Sequence, residues 1–324
     1  MKDKKLIEKI NQLSEKYAST GQDIYSFLDG LLYSDYMGYW DYIHLETLLS
    51  LQTPKTDFPD ENIFIIYHQI TELYFKLCLS EIEQINKNGK NILETGEDLG
   101  WNETLSVNLF IQKLERINRY IKNLIYSFDI MIDGMEKNQF LKFRMALLPS
   151  SGFQSVQYRM LEIRSTDINN LCGESPDKSS SIEEKIQGLY WKLGANELKS
   201  GKKSYTLLQF EKKYKERLIK LAKKMESQNM WQKYMNLNYE DKQNTQLIKL
   251  MKEFDVSVNV HWKLSHYKSA VKYLKRNQKE LTATGGTNWQ KYLPPKFQKI
   301  IFFPKLFTKK EQENWGKEWV QSIK

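Results

Sequence analysis

The run ENIFIIYHQITELYFKLCLSEIEQI (61–85) repeats apolar side chains every three or four positions, the period of a helix packed against other helices. Ile63, Ile66, Ile70, Leu73 and Leu77 form one stripe, and Phe64, His68, Thr71 and Phe75 form a second, largely apolar face. Two apolar faces predict a helix buried on most sides. Pro59, Asp60 and Glu61 supply its start. His68 then stands among hydrophobes, one turn from Phe64. A lone histidine in that setting reads first as a hydrogen-bonded core residue.

The same period recurs on both sides of this helix. Residues 3–17 read as a short amphipathic helix through Leu6, Ile10 and Leu13. Residues 104–131 read as a long one, with Leu109, Leu114, Ile117, Ile121 and Ile125 facing inward. The last long helix is expected over 243–275, where Leu247, Leu250, Phe254, Val258 and His261 track one face and Trp262, His266 and Tyr273 a neighbouring one. Periodicity alone favours His261 as the more buried of these two histidines. Between 25 and 42 lies a tyrosine-rich segment in which Tyr39 and Tyr42, one helical turn apart, present two hydroxyls together. Composition reads that segment as an aromatic packing or oligomer surface.

The chain has 324 residues, with 7 Pro and 15 Gly, few for its length. That points to helices joined by modest loops. The stretches CGESPDKSSS (172–181) and GANELKSGKKS (194–204) read as exposed loops. The expected fold class is all-α: a single large helical bundle domain over 1–324, with a variable excursion near 165–245. Cys78 and Cys172, outside any CxxC pattern, argue against a zinc or disulfide framework and fit a reducing compartment. No apolar run approaches the ~20 residues of a membrane span, and the N-terminal sequence lacks an apolar core with a cleavage site. No membrane association is expected, and the localisation expected is cytoplasmic. The formal charge of +9 comes from 49 Lys and Arg interleaved with 40 Asp and Glu. Charge spread in this way is a solvated helix exterior, so no nucleic-acid partner is expected.

FRMALLPSSGFQSVQYR (143–159) carries the most specified chemistry. Arg144 ends one helix-like run, Pro149, Ser150, Ser151 and Gly152 break it, and Ser155, Gln157 and Arg159 open the next. An arginine fork beside free backbone N–H groups suits a carboxylate or an acidic cofactor group. The plainer reading is a helix corner with a capping serine and a solvated arginine.

Taken together, YWDYIHLETLLSLQ (39–52), ENIFIIYHQITELYFK (61–76), FRMALLPSSGFQSVQYRMLE (143–162), WKLSH (262–266) and TGG (284–286) resemble the tryptophan 2,3-dioxygenase family, all-helical haem enzymes that open the indole ring. The most specific patterns are HQxxELxFK and SSGFQSxQYR. The resemblance implies haem b (iron protoporphyrin IX) as cofactor, with His266 as proximal iron ligand in place of His261. It implies a distal, catalytic His68 hydrogen-bonding the indole N–H, and Arg144 with Tyr42 taking the carboxylate. Tyr39, Ile43 and Phe64 would wall the indole, Thr284 would contact the amino-acid end, and Ser151 with Gly152 would lie at the haem edge. L-Tryptophan or a close indole amino acid and dioxygen are the implied substrates, and N-formylkynurenine the product. A homotetramer is implied too, in which residues 1–45 contact a neighbouring subunit. The sequence departs from the family pattern at Trp40, Ile43, Tyr67, where a smaller side chain is usual, and Ala283. Those departures surround the substrate slot. They keep open a haem monooxygenase of a substituted tryptophan or other aromatic amino acid, and beyond it a non-catalytic helical binding protein.

Overall fold

The computed structural model describes residues 3–88, 90–92, 98–102, 105–148, 150, 152–173, 177, 179–196, 202–276, 279–280, 294–295 and 298–317. Where the sequence reading expects one domain, the chain forms two compact units, Met1–Thr53 and Pro54–Lys324.

The first unit contains α1 (Lys4–Ser19), α2 (Ile24–Tyr33), α3 (Tyr39–Tyr42) and α4 (Leu45–Leu49). Asp3 and Asp23 start the first two helices by accepting the early backbone N–H groups, as short polar side chains do at an N-cap. Tyr17 on α1 meets Phe27 on α2 at 4.7 Å between ring centroids. Ile24 is the one buried residue of these four helices, and Leu31, Leu32, Tyr33, Tyr36 and Tyr42 are exposed. An apolar surface of this kind is what a protein partner covers.

The second unit is built on α5 (Asp60–Asn86) and α6 (Val107–Ser127). Phe75, Cys78, Ile82 and Ile85 of α5 share one core with Phe110, Leu114, Ile117, Ile121 and Leu124 of α6. The core face of α5 is therefore the one carrying Tyr67, Thr71 and Phe75. The other stripe is a correction to the expectation: Ile66, Ile70, Leu73 and Leu77 are exposed in this unit. Periodicity finds apolar faces but does not say which of two meets the core. Glu81, Lys113 and Arg116 join the two helices as a largely buried ion-pair cluster, with Lys113 Nζ 3.2 Å and Arg116 Nε 3.0 Å from Glu81.

Helices α7 (Asp129–Asp133), α8 (Lys137–Phe143) and α9 (Val156–Ser165) follow, then α10 (Ile182–Gln187), α11 (Tyr190–Leu193), α12 (Tyr205–Met225), α13 (Met230–Met235) and α14 (Tyr239–Lys242). The excursion expected near 165–245 does not stand apart, because Ile182, Trp191, Phe210, Met225 and Trp231 enter the common core. The long C-terminal helix is α15 (Thr245–Val256) and α16 (Trp262–Leu274), joined without a break by a π-helical turn, Ser257–His261. Its partner is the segment Ile300–Phe303, fully or almost fully buried. The all-α class holds, with two short antiparallel ribbons added: Lys90–Ile92 with Asp98–Asn102, and Lys275–Arg276 with Lys279–Glu280. Among the described residues no helix is long and apolar enough to cross a membrane.

Candidate functional site

Two histidines of the second unit lie within electrostatic reach of each other. His68 lies on α5 and His266 on α16, and the positive charge that His68 would carry contributes, after burial, to lowering the His266 pKa. Aromatic rings connect them. Tyr67 stands edge-on to His68 (6.4 Å, 89°) and to Phe128 (5.7 Å, 89°), and Phe128 lies 4.6 Å from His266. Trp262 closes the far side at 4.5 Å from His266 and 5.1 Å from Phe128.

Both imidazoles are fixed by their own helices. His68 Nδ1 is 2.7 Å from the Phe64 carbonyl and His266 Nδ1 2.9 Å from the Trp262 carbonyl, each four residues back. A carbonyl oxygen only accepts, so Nδ1 carries the hydrogen in both rings and Nε2 keeps its lone pair. Among the described residues no hydrogen bond engages either Nε2. Burial pushes the His266 pKa down to about 4 and lowers that of His68 in the same direction, which makes both rings neutral at physiological pH. His68 combines desolvation with an exposed ring surface.

The rest of the wall comes from α5 and α8. Phe64 lies over His68 at 4.1 Å, and Phe143 packs against Phe64 at 6.0 Å. Phe140 joins both and reaches Tyr273 of α16 at 4.7 Å. Arg144 follows Phe143 directly, at the start of a 3-10 turn (Arg144–Leu147), and is buried, which lowers its pKa from the ordinary value. The corner of α8 thus packs Phe143 against Phe64 of α5, with the buried Arg144 as the next residue in the chain. Gly152 opens the next short turn (Gly152–Gln154), and a Cβ added there would meet nothing within 4 Å. Ser151 and Thr284 lie outside the described residues. Tyr39, Tyr42 and Ile43 belong to the first unit, where both tyrosines are exposed and Ile43 is half-buried.

The polar trio after the corner is used structurally. Ser155 caps α9 by accepting the Tyr158 N–H, and Gln157 donates to the carbonyl and carboxylate of Glu72 on α5. Arg159 is buried against Glu162 at 3.0 Å, with its guanidinium over the rings of Tyr158, Tyr190 and Trp191. Tyr190 donates to Glu162 at 2.6 Å, and Lys263 on α16 lies 4.4 Å over the Tyr190 ring. Sequence reasoning had no handle on Phe128, Tyr158 or Lys263, since a contact across 100 residues leaves no local period. A separate cavity of about 170 Å³, lined in part by Asp167, Lys185, Asn229 and Gln232, shares no residue with this site.

Asp255 anchors the helix that presents His266. It is fully buried and accepts hydrogen bonds from the Phe303 N–H (2.9 Å) and Asn259 Nδ2 (2.8 Å), tying the π-helical turn to the C-terminal segment. Burial raises its pKa to about 7, against the lowering effect of those bonds and of Lys263. A carboxyl with a raised folded-state pKa adds stability below the unfolded value and loses it as pH climbs to the folded one. At about 1.4 kcal/mol per unit, the climb from pH 4 to above 7 is worth roughly 4 kcal/mol. Urea titrations of wild type and Asp255→Asn across that range will show the stability difference shift in favour of the variant with rising pH; parallel curves would refute this.

An all-helical protein presenting two neutral imidazoles to one aromatic-walled space is the class that fold and site define. The sequence model of the family described as Tryptophan 2,3-dioxygenase matches residues 30–275, and the chain belongs to that family. Curated relatives named tryptophan 2,3-dioxygenase include one from Ruegeria sp. (strain TM1040), 38% identical over 130 residues, which is 40% of this chain and 42% of the relative. Another, from Shewanella woodyi, is 31% identical over 153 residues (47% and 49%), and one from Bacillus thuringiensis subsp. konkukian 30% over 161 (50% of each). The chain spans about half the length of the curated relatives it matches.

Proposed function

We propose that the protein is a haem-dependent dioxygenase that opens the indole ring of L-tryptophan with O2 to give N-formylkynurenine. What supports this reading is a pair of histidines within electrostatic reach of each other, each with Nδ1 tied back to its own helix and Nε2 left with its lone pair, among the rings of Phe64, Tyr67, Phe128 and Trp262. The donor set fits haem b. Among the described residues no group of three or more His, Cys, Asp or Glu could cage a metal ion, whereas ring-bound iron asks the protein for one neutral imidazole nitrogen. His266 Nε2 is that nitrogen, and the backbone bond at Nδ1 fixes the ring plane. When bound, the haem supplies the iron that takes and activates dioxygen.

The chain's own residues supply placement. His68 Nε2, an acceptor by its tautomer, takes the indole N–H. Phe64 forms the apolar wall, and Arg144 takes the carboxylate as a two-pronged donor. Tyr39, Tyr42 and Ile43 are the substrate residues proposed for the first unit, whose exposed apolar side chains suit a homotetramer in which residues 1–45 reach a neighbouring subunit. Gly152 and Ser151 border the haem edge, and Thr284 contacts the amino-acid end. The enzyme works as one functional domain in the cytoplasm.

Anaerobic reduction of the haem-loaded protein, followed by L-tryptophan and oxygen, will yield a product two oxygen atoms heavier than tryptophan, with the near-ultraviolet absorbance of N-formylkynurenine. A product heavier by one atom identifies a monooxygenase instead. A haem-loaded protein that leaves tryptophan untouched ends the assignment.

A further inference from the structure

Positive charge is interleaved with negative along the sequence as a whole, yet the fold gathers more than half of the excess on one helix. α12 has six lysines and Arg217 against Glu211 and Glu216, a net charge of +5 where the full chain has +9. Its inner face is buried through Leu207, Phe210, Leu218, Leu221 and Met225, which join the common core, so the helix is a fixed rod with all seven cations exposed. Glu211 does not offset them, because Lys192 and Lys203 engage it from outside the helix at 2.8 and 2.7 Å. Of the seven, Lys223 is the one with an ion-pair partner among the described residues, Glu183 at 2.5 Å. Glu216 is left as the single exposed acid of the helix. Like charges three and four apart on a helix repel, a cost that is relieved when an anionic surface meets the rod.

Lys213, Arg217, Lys220 and Lys224 follow at steps of four, three and four, which sets them in a line about 16 Å long. Lys212, Lys215 and Lys223 stand on the other shoulder of the helix, about a third of a turn around. Tyr205 and Leu208, both exposed, continue that second line toward the N-terminus. A convex rod with cations on both shoulders lies along a plane and presents both lines to it at once. Lysines are point charges on long flexible stems, which suit a diffuse array of headgroups, whereas two-pronged recognition of one phosphate uses arginine. Leu208 gains burial in a lipid interface and little against a sugar–phosphate backbone.

We propose that the outer face of α12 is a docking surface for an anionic phospholipid membrane, with the seven cations at the headgroups and Tyr205 and Leu208 entering the interface. The contact is peripheral and reversible, and salt weakens it by screening exposed charges. It is independent of the reaction proposed above, since no residue of α12 belongs to that site.

The test is co-sedimentation of the full chain, as purified, with phosphatidylcholine vesicles, either plain or containing about one-third phosphatidylserine. Wild type will sediment with the anionic vesicles alone and will leave them in about 0.5 M NaCl. Lys213→Glu combined with Lys220→Glu and Lys224→Glu will weaken binding about 100-fold, at roughly fivefold for each lysine taken from the surface. Leu208→Ser, which keeps the charge, will weaken it by about threefold or more. The same three-charge reversal at Lys305, Lys309 and Lys310, exposed in another segment, will leave binding within about threefold of wild type. A wild type that ignores anionic vesicles at low salt overturns the proposal. So does an equal loss in the Lys305, Lys309 and Lys310 variant, which would reduce the effect to net charge. Tighter binding to duplex RNA than to vesicles at equal phosphate also overturns it and gives the face to nucleic acid.

Discussion

His266→Ala will fold to the wild-type helix content and purify without a Soret band. In the proposed arrangement the His266 imidazole supplies the bond between chain and iron, and its removal takes that bond away. The expected loss is therefore of the cofactor, not of the fold. Phe128 and Trp262, which the ring touches, are each held by further aromatic neighbours, Tyr67 and Phe75 among them. Imidazole added to the variant should restore part of the haem uptake by entering the gap left behind. His261→Ala serves as the control and will keep the band, because His261 lies in the π-helical turn and the proposal gives the iron to His266. A Soret band at full strength in His266→Ala, or its loss in His261→Ala alone, would transfer the iron to the other histidine.

Arg144→Ala will weaken binding of the amino acid by about 2–5 kcal/mol, between roughly 30-fold and several thousand-fold, while haem content stays at wild type. The reasoning is one of charge. A carboxylate carried into a dry slot needs a counter-charge, and the loss of its partner leaves it uncompensated. Arg144 is already desolvated, which sharpens any bond it makes. Arg144→Lys will recover only a part of the affinity, since an ammonium cannot present two parallel N–H donors to both carboxylate oxygens. The measurement is a tryptophan titration of the haem-loaded variants. An unchanged dissociation constant in Arg144→Ala would remove the clamp from the proposal without touching the haem assignment.

The residues with a local signature were legible in the sequence, and those without one were not. His68 and Arg144 sit in dense, specific motifs, and the helices that carry them follow from a 3.6-residue period. The choice between His261 and His266 shows where period fails. A straight helix through Leu247, Leu250, Phe254 and Val258 points His261 inward, but the π-helical turn widens the coil just there and shifts the phase of everything after it. Trp262 and His266 reach the interior by that shift. No composition rule announces such a turn; the resemblance at WKLSH names His266 where periodicity favours His261. The two faces of α5 make the same point, since equal hydrophobicity gave no way to tell which would meet α6. Arg159, one of the polar residues that open α9, serves Glu162 one turn on, and the Tyr190 hydroxyl that joins the pair is visible only when α9 and α11 are brought together.

The widened turn at Ser257–His261 also bears on how this protein can change over generations. One residue removed or added anywhere between Thr245 and Leu274 would rotate the remainder of the rod by about 100°, carrying His266 off target along with Trp262 and Tyr273. Point replacement is thus the sole route open to descendants along that rod, while chain length is free to drift in connections such as the one between α11 and α12.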